Sequence, residues 1–413
     1  MHRILILLAL APLATLALVG SAGEKAADFI TFKTQELDVK LDIGYAVTLA
    51  DVNGDGKQDI VIVDSKRVIW LENPTWKVHP IIEGLTKPDN VCIDAYDIDG
   101  DGKVNFALGA EWKPFNTKSG GTLQWLKRGK TLAEPWTMHP IDTEPMVHRI
   151  RFADIDGDGK AELVSAPLMG RNSSAAGNWM DGSPVRVTAY RIPADPMKDR
   201  WAPVVLDESM HVVHNIWPID AGHAKRKSLL TASYEGVSLL SLKGDRWTRQ
   251  LLGTGNQDTP KAKRGASEIK QGKLKSGKKF IATVEPWHGD QIVVYTEPGK
   301  VGELWDRHVI DDQLRWGHAV WCADLDGDGG DELVIGVRDD PSPKDPVKDR
   351  RGVRVYKTLD DQGTKWARQV IDHGGVAVED LVAADLDGDG RVDIIAVGRQ
   401  THNARIYWNQ GKK

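Results

Sequence analysis

The chain has 413 residues, 41% of them hydrophobic, and a formal net charge of −5. A near-neutral balance with no basic run argues against a nucleic-acid binder, and two cysteines exclude a disulfide scaffold. One ordinary domain of this length is unusual unless it is built from repeats.

The N-terminus reads Met1-His2-Arg3, then an apolar run from Ile4 to Val19, then the small residues Gly20, Ser21, Ala22 and Gly23. This is the pattern of a secretory signal peptide over residues 1–22, cleaved near Ala22. The run is short for a membrane anchor, and no cysteine follows it to carry a lipid. The expected location is therefore periplasmic or extracellular. No later run approaches transmembrane length, so no span is expected in the mature chain.

The first repeat begins at Asp51-Val52-Asn53-Gly54-Asp55-Gly56-Lys57-Gln58-Asp59-Ile60, and copies reading D-[IL]-D-G-D-G begin at Asp97, Asp154, Asp324 and Asp385. Hard oxygen ligands at alternate positions with glycines between them suit a tight Ca2+ loop. One copy alone would read as a polar Gly/Asp turn. Here the ninth position is acidic in four copies. The expected ligands are Asp51, Asn53, Asp55 and Asp59; Asp97, Asp99 and Asp101; Asp154, Asp156, Asp158 and Glu162; Asp324, Asp326, Asp328 and Glu332; Asp385, Asp387, Asp389 and Asp393. Asn105 makes the second copy the weakest. The loops are not EF-hands, because no bidentate Glu stands at position twelve and the flanking runs are strand-like.

Each loop sits between two apolar runs. A third run follows and ends on an aromatic (Trp70, Trp125, Tyr190, Tyr295, Tyr356, Tyr407). A fourth opens on Trp76, Trp136, Trp201, Trp247, Trp305 or Trp366. Four short strands at a period of roughly 45–60 residues make a propeller blade. Two further units, around His214 and Ser267, keep the outline without the loop. The last unit lacks its fourth strand, and the segment Phe32 to Asp38 has the pattern of one. The chain is therefore expected to be all-β: one seven-bladed β-propeller over residues 27–410, closed by its N-terminal strand. Loops are expected over 113–121, 170–183 and 339–351. Cys92 and Cys322 read as buried thiols.

The innermost strands of a propeller line its channel. Counting back six from each first Asp gives Tyr45, Val91, His148, His214, Ser267, His318 and Glu379 at one mouth, with the strand pattern supplying the two blades that lack a loop. The next position holds Arg149, Asn215, Glu268 and Asp380. The connections after the second strands return to the same mouth with Glu111-Trp112, Arg171, Tyr234, Glu285-Pro286-Trp287-His288, Arg338 and Arg399. Any single His could be a hydrogen-bonded channel residue. The set can bind a divalent metal with an open position, or act as acid and base without one. The side chains are expected to face channel solvent.

The loops followed by [ED]-[LI] resemble the FG-GAP and VCBS repeats of integrin α-subunits and secreted bacterial propellers. More narrowly, Val147 to Asp154, Ala166-Pro167-Leu168, His214-Asn215, Glu285 to Gly289 and Gly317-His318-Ala319 resemble the propeller of the aldos-2-ulose dehydratases, which remove water from keto-sugars. That resemblance implies a carbon–oxygen lyase acting on a small sugar or glycan, as a monomer. It casts His148 or His214 as base. A catalytic Mg2+ or Zn2+ would lie among His214, His288 and His318 with Glu268 or Glu285, or Arg149 would serve in the metal's place. A partner His or Glu379 would protonate the leaving group. Glu111, Trp112, Arg171, Tyr234, Trp287 and Arg338 would contact substrate. Cupin-like domains follow the propeller in that family, whereas this sequence stops at Lys413, which leaves an isomerase step outside the expectation. Two other readings stand beside it: a calcium-dependent glycan- or protein-binding module, and a polysaccharide lyase using Arg149, Arg171, Arg338 and Arg399.

Overall fold

The apolar runs become strands because each can bury both faces between neighbouring sheets. In the second strand of the first blade, Asp59–Asp64, every residue is buried, and Ile60, Val61, Ile62 and Val63 supply the β-branched packing. The other second strands repeat this, as in Glu332–Val337 and Asp393–Gly398. Fourth strands lie at the rim and are largely exposed, as in Thr137–Thr143. The computed structural model describes residues 29–222, 225–259, 261–300, 302–338 and 351–412. Among them there is no helix, and the strands form seven four-stranded sheets. The expected signal peptide, and all but the last residue of the expected loop 339–351, lie outside the described residues.

Blades 1 to 6 each use four consecutive antiparallel strands, spanning residues 46–83, 92–143, 147–210, 215–253, 269–311 and 317–370. Blade 7 takes three strands from residues 378–412 and its outer strand from Ile30–Glu36, which pairs antiparallel with Ala404–Lys412. The closure is reinforced by side chains. Trp408 Nε1 donates to Gln35 Oε1 at 2.7 Å, and Arg405 bridges Glu36 (2.5 Å) and Asp372 (2.7 Å). The ring therefore closes as the sequence pattern indicates. Both cysteines are free, Cys92 buried and Cys322 only partly so.

The Asp/Gly loops all join a first strand to a second. Within the first loop, Asp51 accepts the N–H groups of Gly54, Asp55 and Gly56. Gly54 and Gly56 have φ of +82° and +86°, a conformation that side chains disfavour. The ninth residue locks the loop: Asp59, Glu162, Glu332 and Asp393 each accept the N–H of the second loop residue at 2.9–3.1 Å. Asn105 makes the same bond at 3.0 Å, so the weakest copy keeps the shape while losing the charge.

Candidate active site

Three of the seven mouth residues sit where the inner strand slips register against its neighbour. The shifts fall between Val147 and Arg149, Gly317 and Ala319, and Val378 and Asp380, leaving His148, His318 and Glu379 unpaired at the bulge. Bulges re-aim side chains. These three turn toward the axis, where His214 joins them from blade 4. His288 arrives from the connection after Lys279–Glu285 with φ of +51°. Such a backbone is strained for a non-glycine residue and is tolerated where the surroundings enforce it.

One nitrogen each of His214, His288 and His318 lies within 4.8 Å of the others, and His214 Nε2 is 2.8 Å from His288 Nε2. The far nitrogens of two of the rings face oxygen atoms. His318 Nδ1 donates to the Glu379 carbonyl at 2.5 Å, and His214 Nδ1 is 2.9 Å from Glu268 Oε1. A carboxylate or carbonyl on the far nitrogen fixes the tautomer and leaves Nε2 free to ligate. His148 follows the same rule, its Nδ1 donating to the His214 carbonyl at 3.1 Å.

Burial is the main force on these rings. It holds His148 and His288 well below the ordinary imidazole range, aided by the charges of nearby histidines and, for His148, of Arg149. Burial likewise brings His318 down to about 3 and lowers His214 against the pull of Glu268. All four are neutral at pH 7, the state a metal ligand or a base requires. His148, His214 and His318 are only 5%, 0% and 3% exposed and His288 is partly buried, so the expectation that His148, His214 and His318 face channel solvent is corrected.

Above them is a cavity of about 300 Å3 lined by Trp112, Trp287, Trp316, Lys263, Arg338 and Arg399 among others. Arg338 and Arg399 grip the two oxygens of Glu379 at 3.1 and 2.9 Å. Burial pushes the Glu379 carboxyl up, but Arg338, His318 and Arg399 outweigh it and hold it at about 2. The two guanidiniums favour its ionised form, whereas protonating a leaving group needs the neutral acid.

Several expected residues go elsewhere. Both Glu285 oxygens are bound by Tyr295 (2.6 Å), Thr283 (3.0 Å) and Arg307 (2.9 Å), away from the histidines. Glu268 sits behind His214, where it also meets Arg149 (3.3 Å) and Asn215, so it orients the ring and is not among the converging ligand atoms. Glu111 is held by Lys87 and Lys113. Arg171 is clasped by Glu144 at 2.9 Å and lines a separate cleft. Tyr234 is buried behind Trp287. Trp112, Trp287, Arg338 and Arg149 do line the cavity. Lys263 and Trp316 were not anticipated, because both lie in connections outside the repeat pattern. Lys263 Nζ stands 3.8 Å from the centroid of Trp316, and burial, then Arg338, brings it down to about 8.

At the opposite face four of the five acidic loops gather their carboxylates, the exception being the loop at Asp51. Ligand oxygens of Asp97, Asp99 and Asp101 lie within 4.8 Å of one another, as do those of Asp154, Asp156 and Glu162, of Asp324, Asp326 and Glu332, and of Asp385, Asp387 and Asp393. Burial, then neighbouring loop aspartates against backbone N–H bonds, moves Glu162 up to about 7, Glu332 to about 8 and Asp393 to about 6. These groups are costly to ionise without a counter-cation.

Five of the seven blades carry an Asp/Gly loop between first and second strands, and residues 51–108 match the FG-GAP-like repeat family. Residues 120–298 match the family described as aldos-2-ulose dehydratase, beta-propeller domain. That segment carries His148, Arg149, His214, Glu268 and His288, while His318, Arg338, Glu379 and Arg399 lie beyond it. The chain is 29% identical over 301 residues to the aldos-2-ulose dehydratase of Phanerodontia chrysosporium, covering 67% of this chain and 32% of that protein. Among solved structures, a chain from BBS1N in complex with ARL6DN aligns with TM-score 0.52 at 13% identity, covering 92% of this chain and 97% of that one. A chain of the mitotic checkpoint complex aligns with TM-score 0.54 at 10% identity, covering 98% of each. These two likenesses concern the fold alone.

Proposed function

We propose that this protein is an exported sugar lyase that removes water beside the carbonyl of a keto-sugar in the cavity above His214, His288 and His318. The observation that carries the reading is the convergence of those three neutral imidazoles beneath a cavity walled by indoles. The similarity to a sugar dehydratase supports it. Three nitrogen donors suit Zn2+ better than Mg2+, which prefers oxygen. A divalent ion there would supply a Lewis acid for the carbonyl oxygen, where negative charge develops.

The chain's own groups account for the two proton movements. His148 Nε2 accepts no strong hydrogen bond, its nearest donor being Arg149 Nη1 at 3.5 Å. It takes the proton from the carbon beside the carbonyl. A C=C bond forms as the C–O bond on the next carbon breaks. Lys263, held over Trp316, gives its proton to the departing hydroxide, which leaves as water. The indoles of Trp112, Trp287 and Trp316 offer flat apolar faces to the sugar ring and exclude solvent. All these groups come from one chain, so a monomer suffices.

Incubation with a panel of 2-keto and 3-keto hexoses should produce the ultraviolet absorbance of a conjugated enone. A zinc-loaded protein that turns over none of them would leave only a binding role for this cavity.

We further propose that the five loops hold Ca2+ and stiffen the opposite face. The donor set fits: it is all oxygen, and the Asp99 Oδ1 atom is buried without a hydrogen-bond partner. Arg191 reaches Asp156 at 3.0 Å, and Lys127 and Lys357 meet Asp99 and Asp326, as expected where negative charge is dense. A calcium-selective chelator should lower the melting temperature by more than a few degrees. An unchanged melting curve in excess chelator would count against calcium.

A further inference from the structure

The layer beneath the histidines plugs the channel. Arg149 and Asn215 are buried and each bonded to the buried Glu268, and Arg149 lines both the upper cavity and a second one below it. The lower compartment has about 290 Å3 and is lined by Thr48, Asp94, Arg151, Trp217 and Trp321 among others, most of them partly exposed.

Two cations flank this compartment without a carboxylate partner. Lys270 is 5% exposed, and its Nζ sits 3.8 Å from the centroid of Trp217 and 5.2 Å from that of Trp321. Arg151 stacks on Trp217 at 5.3 Å, and its Nη1 donates only to the Ile150 carbonyl, while its buried Nε has no acceptor. Neither forms an ion pair with a described residue. The carboxylates nearby are turned to backbone. Asp94 Oδ2 accepts the Phe152 N–H at 2.6 Å, and Asp380 accepts those of Val47 and Leu381 at 3.1 and 3.0 Å. Burial, then the charge of Arg151, outweighs the pull of Glu268 and Asp380 and brings Lys270 down to about 7.

We infer that the lower compartment is a second binding site, for a small polyhydroxy carboxylate of the aldonate or uronate class. Arg151 and Lys270 would take the carboxylate. Trp217 and Trp321 present flat faces to the C–H side of the chain. The Asp94 oxygen not engaged by Phe152 accepts a hydroxyl. The inference stands apart from the lyase reading, since it uses none of the three converging histidines.

Gluconate is the probe, titrated calorimetrically into the full chain, with glucose and inorganic phosphate in parallel. Gluconate should bind and quench indole fluorescence. Lys270→Met and Arg151→Gln should each weaken it about tenfold or more, the scale of one charged hydrogen bond. His318→Asn, in the upper site, should leave its affinity unchanged. The inference is overturned if wild-type protein fails to bind gluconate at about 10 mM, or if glucose or phosphate binds as well as gluconate. It is equally overturned if His318→Asn abolishes binding, which would place the ligand above the plug. These wild-type and upper-site arms decide the matter even if a lower-site variant does not fold.

Discussion

Replacing His148 by Ala is expected to lower kcat/KM for a keto-sugar by about a hundredfold or more, the usual scale for a general acid–base group. Zinc content should not change, because His148 is not one of the three converging rings. His318→Ala should lose zinc and activity together. Both residues are buried, so truncation leaves a cavity and costs stability on the order of 1–3 kcal/mol. His148→Gln provides the control. It fills most of the space and can keep the bond to the His214 carbonyl, so it should restore the melting temperature without restoring the rate. If His148→Gln is both stable and fully active, His148 is not the base. If every variant loses fold and activity together, the histidines are structural, and a calcium-dependent binding module becomes the better reading.

Deleting residues 30–36 should be the most damaging change to the fold. It strips the outer strand from blade 7, removes the partner of Trp408 and one partner of Arg405, and bares the edge of Ala404–Lys412. An unpaired edge invites association with another copy. The truncated protein is expected to aggregate, or to melt about 10 °C or more below the parent. Light scattering and calorimetry read both outcomes. A monomeric truncation with unchanged stability would mean that the pairing of Ile30–Glu36 adds little to closure.

The architecture was legible because five Asp/Gly loops fix the phase of every blade that carries one. Once the first Asp is placed, period-two alternation assigns each inner-strand residue to the channel or to the sheet interior. That is why His148, His318 and Glu379 could be placed at one mouth from spacing, with the strand pattern adding His214. Phase also explains the misplacements. Glu285 belongs to a second strand, where Tyr295 and Arg307 from its own blade claim both oxygens. No count along the sequence reveals that pairing. Glu111 and Arg171 lie in connections whose direction depends on local ion pairs with Lys87 and Glu144. Lys263 and Trp316 were invisible for the opposite reason, since they stand between blades and have no counterpart position. The charge state of Glu379 required the flanking guanidiniums to be seen in place.

The closure of blade 7 has a bearing on biosynthesis. Glu36 and Arg405, joined across the last seam, are 369 residues apart in sequence. The propeller's first strand therefore pairs with its last, and the ring cannot shut until Ala404–Lys412 has been made. Loop closure over such a span is slow, and intermediates with open edges persist while it occurs. A prematurely terminated chain would retain sound blades yet never seal. The seam thus separates chains that carry the last strand from those that lack it, through a single strand edge left open or covered.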